Sequence, residues 1–553
     1  MNIGDMVAKF LKAANVDTVF AIISVHNIPI MDGIAREGGI KVVMTRGEMG
    51  ASHMADGYAR IAGKLGVLIS STGPGAANAV SGLLEASYAG TPVLHITGQV
   101  PSPYIGRDTG TTHGVKDQLG MLRSVCKAAY RVNTPQEAWG ILTKAATEAM
   151  TAPTGPVSVE IPIDIQKAMC PEPPVALVDL RAVRPRRPAA DVLAKLAERV
   201  AGARRPMFWV GSGAKDCGPL LARFLELGFG MVTSWAGRGI VTEAHPMNLG
   251  ALNGSGSKDV EDFYQDVDLM IVLGSRLRGQ ETVDQSVKLP AHRVQVDIDP
   301  AAEGRTYTVD LFVQGDCATV LEALLAEVGR RVQVDADFPG AFAAMKQRAR
   351  SNYKKALGPY AQFAETLRAE APDDSLWIRD ITVANSTWGH RLYEMYQPRH
   401  AAHPVGAGIG QGLPLAIGAA FAAPGRQTIL LSGDAGFVMN VCELWTAKQE
   451  GLDLLMVVMN DAGYGVIKHM QDAAFGGRRV YGDLAPPDFG QLARCVGAAY
   501  TKVGAKEAFG HALRDAMPLR GLRLLEVDMG AIGEAPPYHP FLKLEKNDDA
   551  RLS

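Results

Sequence analysis

Three times in this chain an apolar run ends on a carboxylate and passes at once into small residues. The first is Val42-Val43-Met44-Thr45-Arg46-Gly47-Glu48. The second is Ile429-Leu430-Leu431-Ser432-Gly433-Asp434-Ala435-Gly436, and the third is Val457-Val458-Met459-Asn460-Asp461-Ala462-Gly463-Tyr464-Gly465. Short continuous apolar runs bounded by turn residues read as strands buried on both faces. Such strands belong to parallel sheets, where ligands gather beyond the carboxyl ends. A carboxylate delivered to that edge is a candidate for chemistry or for metal binding.

The same pattern organises the rest of the chain. Residues 16–23, 41–45, 67–71 and 92–97 read as strands within a first unit, 1–168, and a proline-rich linker spans 169–188. A second unit, 189–332, has strands at 206–210, 231–234, 269–273 and 294–298, and a polar linker over 333–357 closes it. The third unit, 358–553, has strands at 376–378, 428–431, 454–459 and 522–527. Helical stretches lie between the strands. The expected fold is α/β, with three doubly wound parallel-sheet domains. A length of 553 residues, too great for one core, agrees.

Composition excludes several function classes. A formal charge of −2 gives no electrostatic reason for nucleic acid or an anionic membrane as partner. No apolar run approaches the roughly 20 residues of a bilayer span. The six cysteines form no CxxC pair, which argues against a zinc site or disulfide framework and fits the cytoplasm. The N-terminus shows no signal pattern. Met6, Val7, Phe10, Leu11 and Ala14 make one face of an ordinary amphipathic helix.

Together the three carboxylate segments resemble the thiamine-diphosphate (ThDP) enzymes of the acetolactate synthase, pyruvate oxidase and benzaldehyde lyase type, over essentially the whole chain. The resemblance implies pyrimidine-binding, middle and diphosphate-binding domains in that order, with ThDP and Mg²⁺ as cofactors. Magnesium usually takes one or two carboxylates beside phosphate oxygens. The resemblance puts Asp434 and Asp461 at its side-chain positions and the Gly463 carbonyl at its backbone position. Gly433 and Gly436 let N–H groups approach a diphosphate, and Tyr464, Gly465 and Val466 follow. Ala435 replaces the usual glycine and Asp461 the usual asparagine. The added charge strengthens the demand for a divalent cation, or else Asn460 supplies the ligand.

Glu48 matches the glutamate that hydrogen-bonds N1′ of the cofactor's aminopyrimidine, so that the 4′-nitrogen can take the C2 proton. A carboxylate held in an apolar pocket, with raised pKa, suits that work. The family's usual histidine before this glutamate is Gly47 here. In the segment from His403 to Pro414, Ile409 matches the wedge that bends the cofactor, and the Ala407 carbonyl matches the acceptor for the 4′-amino group. Thr72, Gly73, Pro74 and Asn78 match a second loop near the cofactor. In the middle unit, Gly211-Ser212-Gly213 has Asp216 where the dinucleotide motif needs its third glycine. Arg276 matches a common arginine, but Arg278 and Gly279 replace an acidic pair. FAD or ADP there is possible but unsupported.

The loop from Ala21 to Pro29 lacks the family's Gly-x-Pro-Gly. His26 falls where benzaldehyde lyase-like enzymes carry a histidine, and His113 falls near an active-site glutamine of the same group. Either imidazole could move protons during C–C cleavage or ligation. Val25, His26, His113, Ile467 and Met470 are the expected substrate wall, and Met470 stands where acetolactate synthases have tryptophan. The implied substrates are a 2-oxo acid, an aldehyde or a 2-hydroxy ketone. The implied enzyme is an acetolactate synthase-like decarboxylase and carboligase. The alternatives are a benzaldehyde lyase-like 2-hydroxy ketone or 2-hydroxyacyl lyase, and a silent ThDP-fold scaffold. The family forms homodimers or homotetramers in which Glu48 of one chain would reach the cofactor held by Asp434 of its neighbour.

Overall fold

The computed structural model of the chain describes residues 1–107, 109–172, 178–180 and 186–536. Part of the expected 169–188 linker and the end of the third unit, 537–553, lie outside the described residues. Every strand pair is parallel. The first sheet holds β1 (Thr18–Ala21), β2 (Lys41–Met44), β3 (Gly66–Ser70), β4 (Val93–Gln99), β5 (Ala128–Arg131) and β6 (Val157–Pro162), in the order β2-β1-β3-β4-β6-β5. The second holds β7 (Pro206–Val210), β8 (Gly230–Thr233), β9 (Leu269–Leu273), β10 (Arg293–Asp297) and β11 (Leu311–Gln314), in the order β11-β10-β9-β7-β8. The third holds β12 (Leu376–Arg379), β13 (Ala401–Ala402), β14 (Thr428–Gly433), β15 (Leu454–Asn460), β16 (Ala499–Val503) and β17 (Leu522–Asp528), in the order β13-β12-β14-β15-β17-β16. The first and third sheets therefore have the same topology, and the chain is an α/β protein of three doubly wound parallel-sheet domains.

Five strands escape the sequence pattern. Four of them, β5, β11, β13 and β16, are sheet edges, where one flank has no partner and the apolar run is short. β16 shows its first four residues to solvent. The fifth, β6, is interior, but it buries Ser158 and Glu160. Ser158 bonds His95, and Glu160 takes bonds from Gln99 and Gln118, so the polar groups are satisfied inside. The polar stretch 333–357 is not an irregular linker: it contains the helix Phe338–Lys355, with Phe338, Phe342 and Met345 in the core.

The third sheet is covered on both faces. Leu430, Met456 and Val458 share a core with Val43, Met54 and Leu68 of the first unit. Their neighbours Ile429, Leu431, Leu455 and Val457 share a second core with the middle unit. The link on the first face is the crossing of helices Glu48–Ala62 and Gly412–Ala422. A β-carbon on Gly57 would lie 2.4 Å from the Leu415 carbonyl oxygen, and one on Gly418 would lie 2.0 Å from that of Met54. Only glycine fits at these crossings. Among the described residues no helix is long and apolar enough to cross a membrane.

Gly418→Ala should therefore destabilise the chain, although alanine is the better helix former. Forcing a methyl into packed backbone costs about 1–3 kcal/mol, against about 1 kcal/mol gained in helix propensity. Thermal unfolding checks this, and a melting temperature at or above that of the parent would refute it.

Candidate active site

Asp434 and Asp461 come together at the carboxyl edge of the third sheet. Asp434 opens the short helix Asp434–Met439 directly after β14, and Asp461 follows β15. Asp434 is buried: its Oδ2 accepts from the Gly463 N–H at 3.0 Å, and its Oδ1 has no partner. A β-carbon on Gly465 would come within 1.8 Å of Asp461 Oδ2, so the glycine is what lets that carboxylate lie over the start of helix Gly465–Ala474. Burial, then the charge of Asp434, raises the Asp461 carboxyl above the usual carboxylate range, and burial raises Asp434 as well. Asn460 is engaged elsewhere. Its amide donates to Glu526 at 2.8 Å and its oxygen accepts from the Ala462 N–H. Among the described residues no group of three or more His, Cys, Asp or Glu forms a metal cage. A cation between these two aspartates would need further oxygens from backbone and cofactor.

The segment from His403 to Gly412 is gripped at both ends. At its start Glu85 accepts from the Val405 and Gly406 N–H groups at 2.5 and 2.9 Å. Arg60, ion-paired to Asp56 and Glu85, donates to the His403 carbonyl at 2.6 Å. At its end the buried Asp380 accepts from Gly410 and Gly412 at 3.0 and 3.1 Å, and from Ile381 at 2.7 Å. Asn440 donates to the Gly410 carbonyl. Between the grips Ala407 sits at φ +62°. A non-glycine residue there costs about 1–3 kcal/mol and persists only when its surroundings over-determine it. Asp380 Oδ2 also lies, with Ile409, over Gly436, where a β-carbon would meet them at 3.0 and 3.1 Å. One carboxylate thus fixes the Ile409 loop against the Gly433–Gly436 turn. Asp380 was not among the acids singled out from the sequence, although it follows an apolar strand just as Asp434 does.

Glu48 opens its helix and is half-buried. Asn78 donates to it at 3.2 Å, and its Oε1 lies 2.8 Å from the point where a β-carbon on Gly75 would stand. Within one chain it therefore stands against Asn78 and Gly75. The Thr72 hydroxyl is used internally on Gln118 and Gln99 at 2.8 and 3.2 Å, and the Gly73 N–H donates to Gln118 at 2.7 Å. Gln118, another residue the sequence did not single out, thereby sets the loop that leads through Pro74 to Asn78. A β-carbon on Gly73 would strike the His113 carbonyl at 2.3 Å.

The structure brings the two histidines together. The rings of His26 and His113 are 5.1 Å apart and nearly edge to face. His26 is buried and its Nδ1 has no partner, whereas His113 is exposed at φ +65°. Burial, with His113 beside it, lowers the His26 pKa. Val25, Ile467 and Met470 are not enclosed: they are 65%, 45% and 44% exposed in the single chain.

The middle unit has a cleft of about 680 Å³ at the carboxyl edge of its sheet, lined by Gly211, Gly213, Lys215, Arg276, Arg278 and Asp297 among others. A β-carbon on Gly211 would lie 2.2 Å from the Gly274 carbonyl, so packing alone already demands glycine there. Arg278 donates to the Tyr88 and Val405 carbonyls and spans to the other two units.

Comparison with known proteins matches the chain to three family models. They are the thiamine pyrophosphate enzyme N-terminal TPP binding domain over residues 1–121, the central domain over 193–324 and the C-terminal TPP binding domain over 382–527. A probable 2-ketoarginine decarboxylase of Pseudomonas aeruginosa is 31% identical, across 95% of this chain and 93% of its own length. The acetolactate synthase isozyme 2 large subunit of Escherichia coli is 30% identical, with 98% of each chain covered. The acetolactate synthase large subunit of Haemophilus influenzae is 29% identical, across 97% of this chain and 95% of its own.

The Asp380 grip can be read in solution. Burial holds its carboxyl up to about 6, above the ordinary 3.8, despite three backbone donors. The unfolded chain ionises this group first as pH rises, so its stabilising contribution is full below 3.8 and is lost by about 6. Asp380→Asn should remove that component. The urea midpoint of the variant should fall less steeply with pH across this window than that of the parent. Identical slopes would contradict the assignment.

Proposed function

The chain belongs to the thiamine pyrophosphate enzyme family, and we propose that it is a Mg²⁺-dependent 2-oxo acid decarboxylase and carboligase resembling acetolactate synthase. The observation that carries the metal reading is the unpartnered, buried Oδ1 of Asp434 beside Asp461, above turns that only glycine fits. A hard cation bridging these aspartates to a diphosphate would satisfy that oxygen. The names of the relatives, a decarboxylase and synthases acting on this framework, favour the 2-oxo acid.

Bound ThDP supplies a carbon nucleophile that adds to a carbonyl and holds the electron pair released when the neighbouring C–C bond breaks. In this reading Asp434, Asp461 and the Gly463 carbonyl hold the metal, with Gly433, Ala435, Gly436, Tyr464, Gly465 and Val466 around the diphosphate. Asn460, whose amide oxygen already accepts from the Ala462 N–H, is the less favoured ligand in this reading. Ile409 and the strained Ala407 shape and orient the aminopyrimidine. Glu48, steadied by Asn78, shares a proton with the ring nitrogen. Thr72, Gly73 and Pro74 form the floor of that loop. Val25, Ile467 and Met470 form substrate walls once a second chain covers them, as their exposure in the single chain supports. The active form is then a homo-oligomer, a dimer or a tetramer.

The second reading, a 2-hydroxy ketone or 2-hydroxyacyl lyase, is favoured by one observation: the His26 Nδ1 is buried without a partner beside His113. An imidazole so placed can take and return a hydroxyl proton. Loss of CO₂ needs no such base.

Two outcomes are expected. Glu48→Gln should retain ThDP but slow hydrogen–deuterium exchange at the cofactor's C2 by orders of magnitude before any substrate is added. Parental exchange would remove Glu48 from the reaction. His26→Ala should depress ligation and cleavage by about 10²-fold, the scale of general acid–base help, while sparing CO₂ release from a 2-oxo acid. Product and CO₂ are measured on the same variant across a pH series. An equal loss in both with an unchanged profile would reduce His26 to a loop-shaping residue and leave the lyase reading without its support.

A further inference from the structure

Asp461 brings a second carboxylate into a site that also expects a diphosphate. Two buried acids facing each other repel, and a phosphate ligand adds to the excess. Lys468, one turn into helix Gly465–Ala474, lies under the same turn. Its ammonium donates to the Asp461 carbonyl at 3.0 Å and to the Ala462 carbonyl at 3.5 Å, and it pairs with Asp483 at 3.1 Å. Its side chain is only 12% exposed. Among the described residues no other lysine or arginine hydrogen-bonds the 461–464 turn.

That turn needs holding. Ala462 has φ +53° and Gly463 φ +151°. A side chain on Gly463 would strike the Gly482 carbonyl at 2.1 Å, and the Tyr464 N–H donates to that same oxygen at 2.8 Å. The Asp434 carboxylate accepts from the Gly463 N–H on one side of the turn, and Lys468 donates to the carbonyls before it. The backbone is thus anchored by an anion and a cation at once. The cation is also the charge that Asp461 lacks in Asp434.

We infer that Lys468 is a positioning residue matched to Asp461: its ammonium, seated on the carbonyls of the 461–463 turn, offsets the additional carboxylate of the metal site. The inference rests on the proposed metal reading. It makes the charge at Asp461 and the charge at Lys468 a coupled pair. Removing the cation should hurt only while the carboxylate is there to be balanced.

The test is a double-mutant cycle on ThDP affinity, measured by calorimetry on cofactor-free enzyme at saturating Mg²⁺. Lys468→Met should weaken ThDP binding by about tenfold or more, as expected for neighbouring charges. With Asp461→Asn already present, the same change should cost no more than about twofold. Lys468→Arg, which keeps both charge and donors, should restore most of the affinity. An equal loss in both backgrounds would overturn the inference, because it would mean that Lys468 acts on the diphosphate or merely supports the fold. Undiminished affinity in Lys468→Met would overturn it too. Melting curves of the cofactor-free chains report folding. Should Lys468→Met fail to fold, Lys468→Gln carries the same comparison. A parent chain that holds ThDP as tightly in chelator as in Mg²⁺ would sink the metal reading, and this inference with it.

Discussion

The close crossing of helices Glu48–Ala62 and Gly412–Ala422 sets the geometry on which the site depends. Side chains normally hold packed helices about 8–10 Å apart. Here Gly57 and Gly418 let backbone approach backbone, at the carbonyls of Leu415 and Met54. The first helix begins at Glu48, and the second begins at the end of the Ile409 loop. Their crossing therefore decides where two separate functional segments sit in one chain. The same face of the third sheet that packs here, through Leu430 and Met456, leaves the alternate residues to the middle unit. The third domain is the shared wall of the molecule.

Buried charge does the finer placing. Arg60, Asp56 and Glu85 form a buried cluster whose spare donors and acceptors all go to backbone at His403, Val405 and Gly406. A buried ion pair left without such partners is seldom stabilising, but one whose oxygens and nitrogens are all used fixes a single arrangement. Asp380 does the same at the other end of the loop. The strained backbone of Ala407 lies between these two grips, which is where an outlier can be held. Its carbonyl direction is thus set by groups on either side of the loop.

Much of this was legible in the sequence, for a physical reason. Interior parallel strands are apolar on both faces, so their runs stand out, and the acids that end them, Asp434 and Asp461, stand out in turn. Asp380 obeyed the same rule after Leu376-Trp377-Ile378, and attention to strand ends alone would have found it. Edge strands such as β16 carry no such run. Nor does β6, whose Ser158 and Glu160 are paid for by partners distant in sequence. Glu85 looks like one more helix acid until the fold brings residue 405 to it. Lys468 follows the third carboxylate segment closely, but that its ammonium meets the carbonyls of Asp461 and Ala462 is a product of the fold, and no spacing rule predicts it.

The equal topology of the first and third sheets has a consequence for chemistry. In both, the strand order reverses beside the strand that precedes the key loops, β3 with Thr72–Gly73 in one and β14 with Gly433–Asp434 in the other. Crevices open beyond such reversals. Two like domains joined through one helix crossing therefore give each chain two half-sites of different character. The first offers Glu48, Asn78 and a pair of imidazoles. The second offers two carboxylates and glycine turns. In the reading proposed above, the first would handle the proton and the second would hold the metal, at opposite ends of one elongated cofactor. In the same reading, Val25, Ile467 and Met470, which are open to solvent in a single chain, are what a second copy would cover.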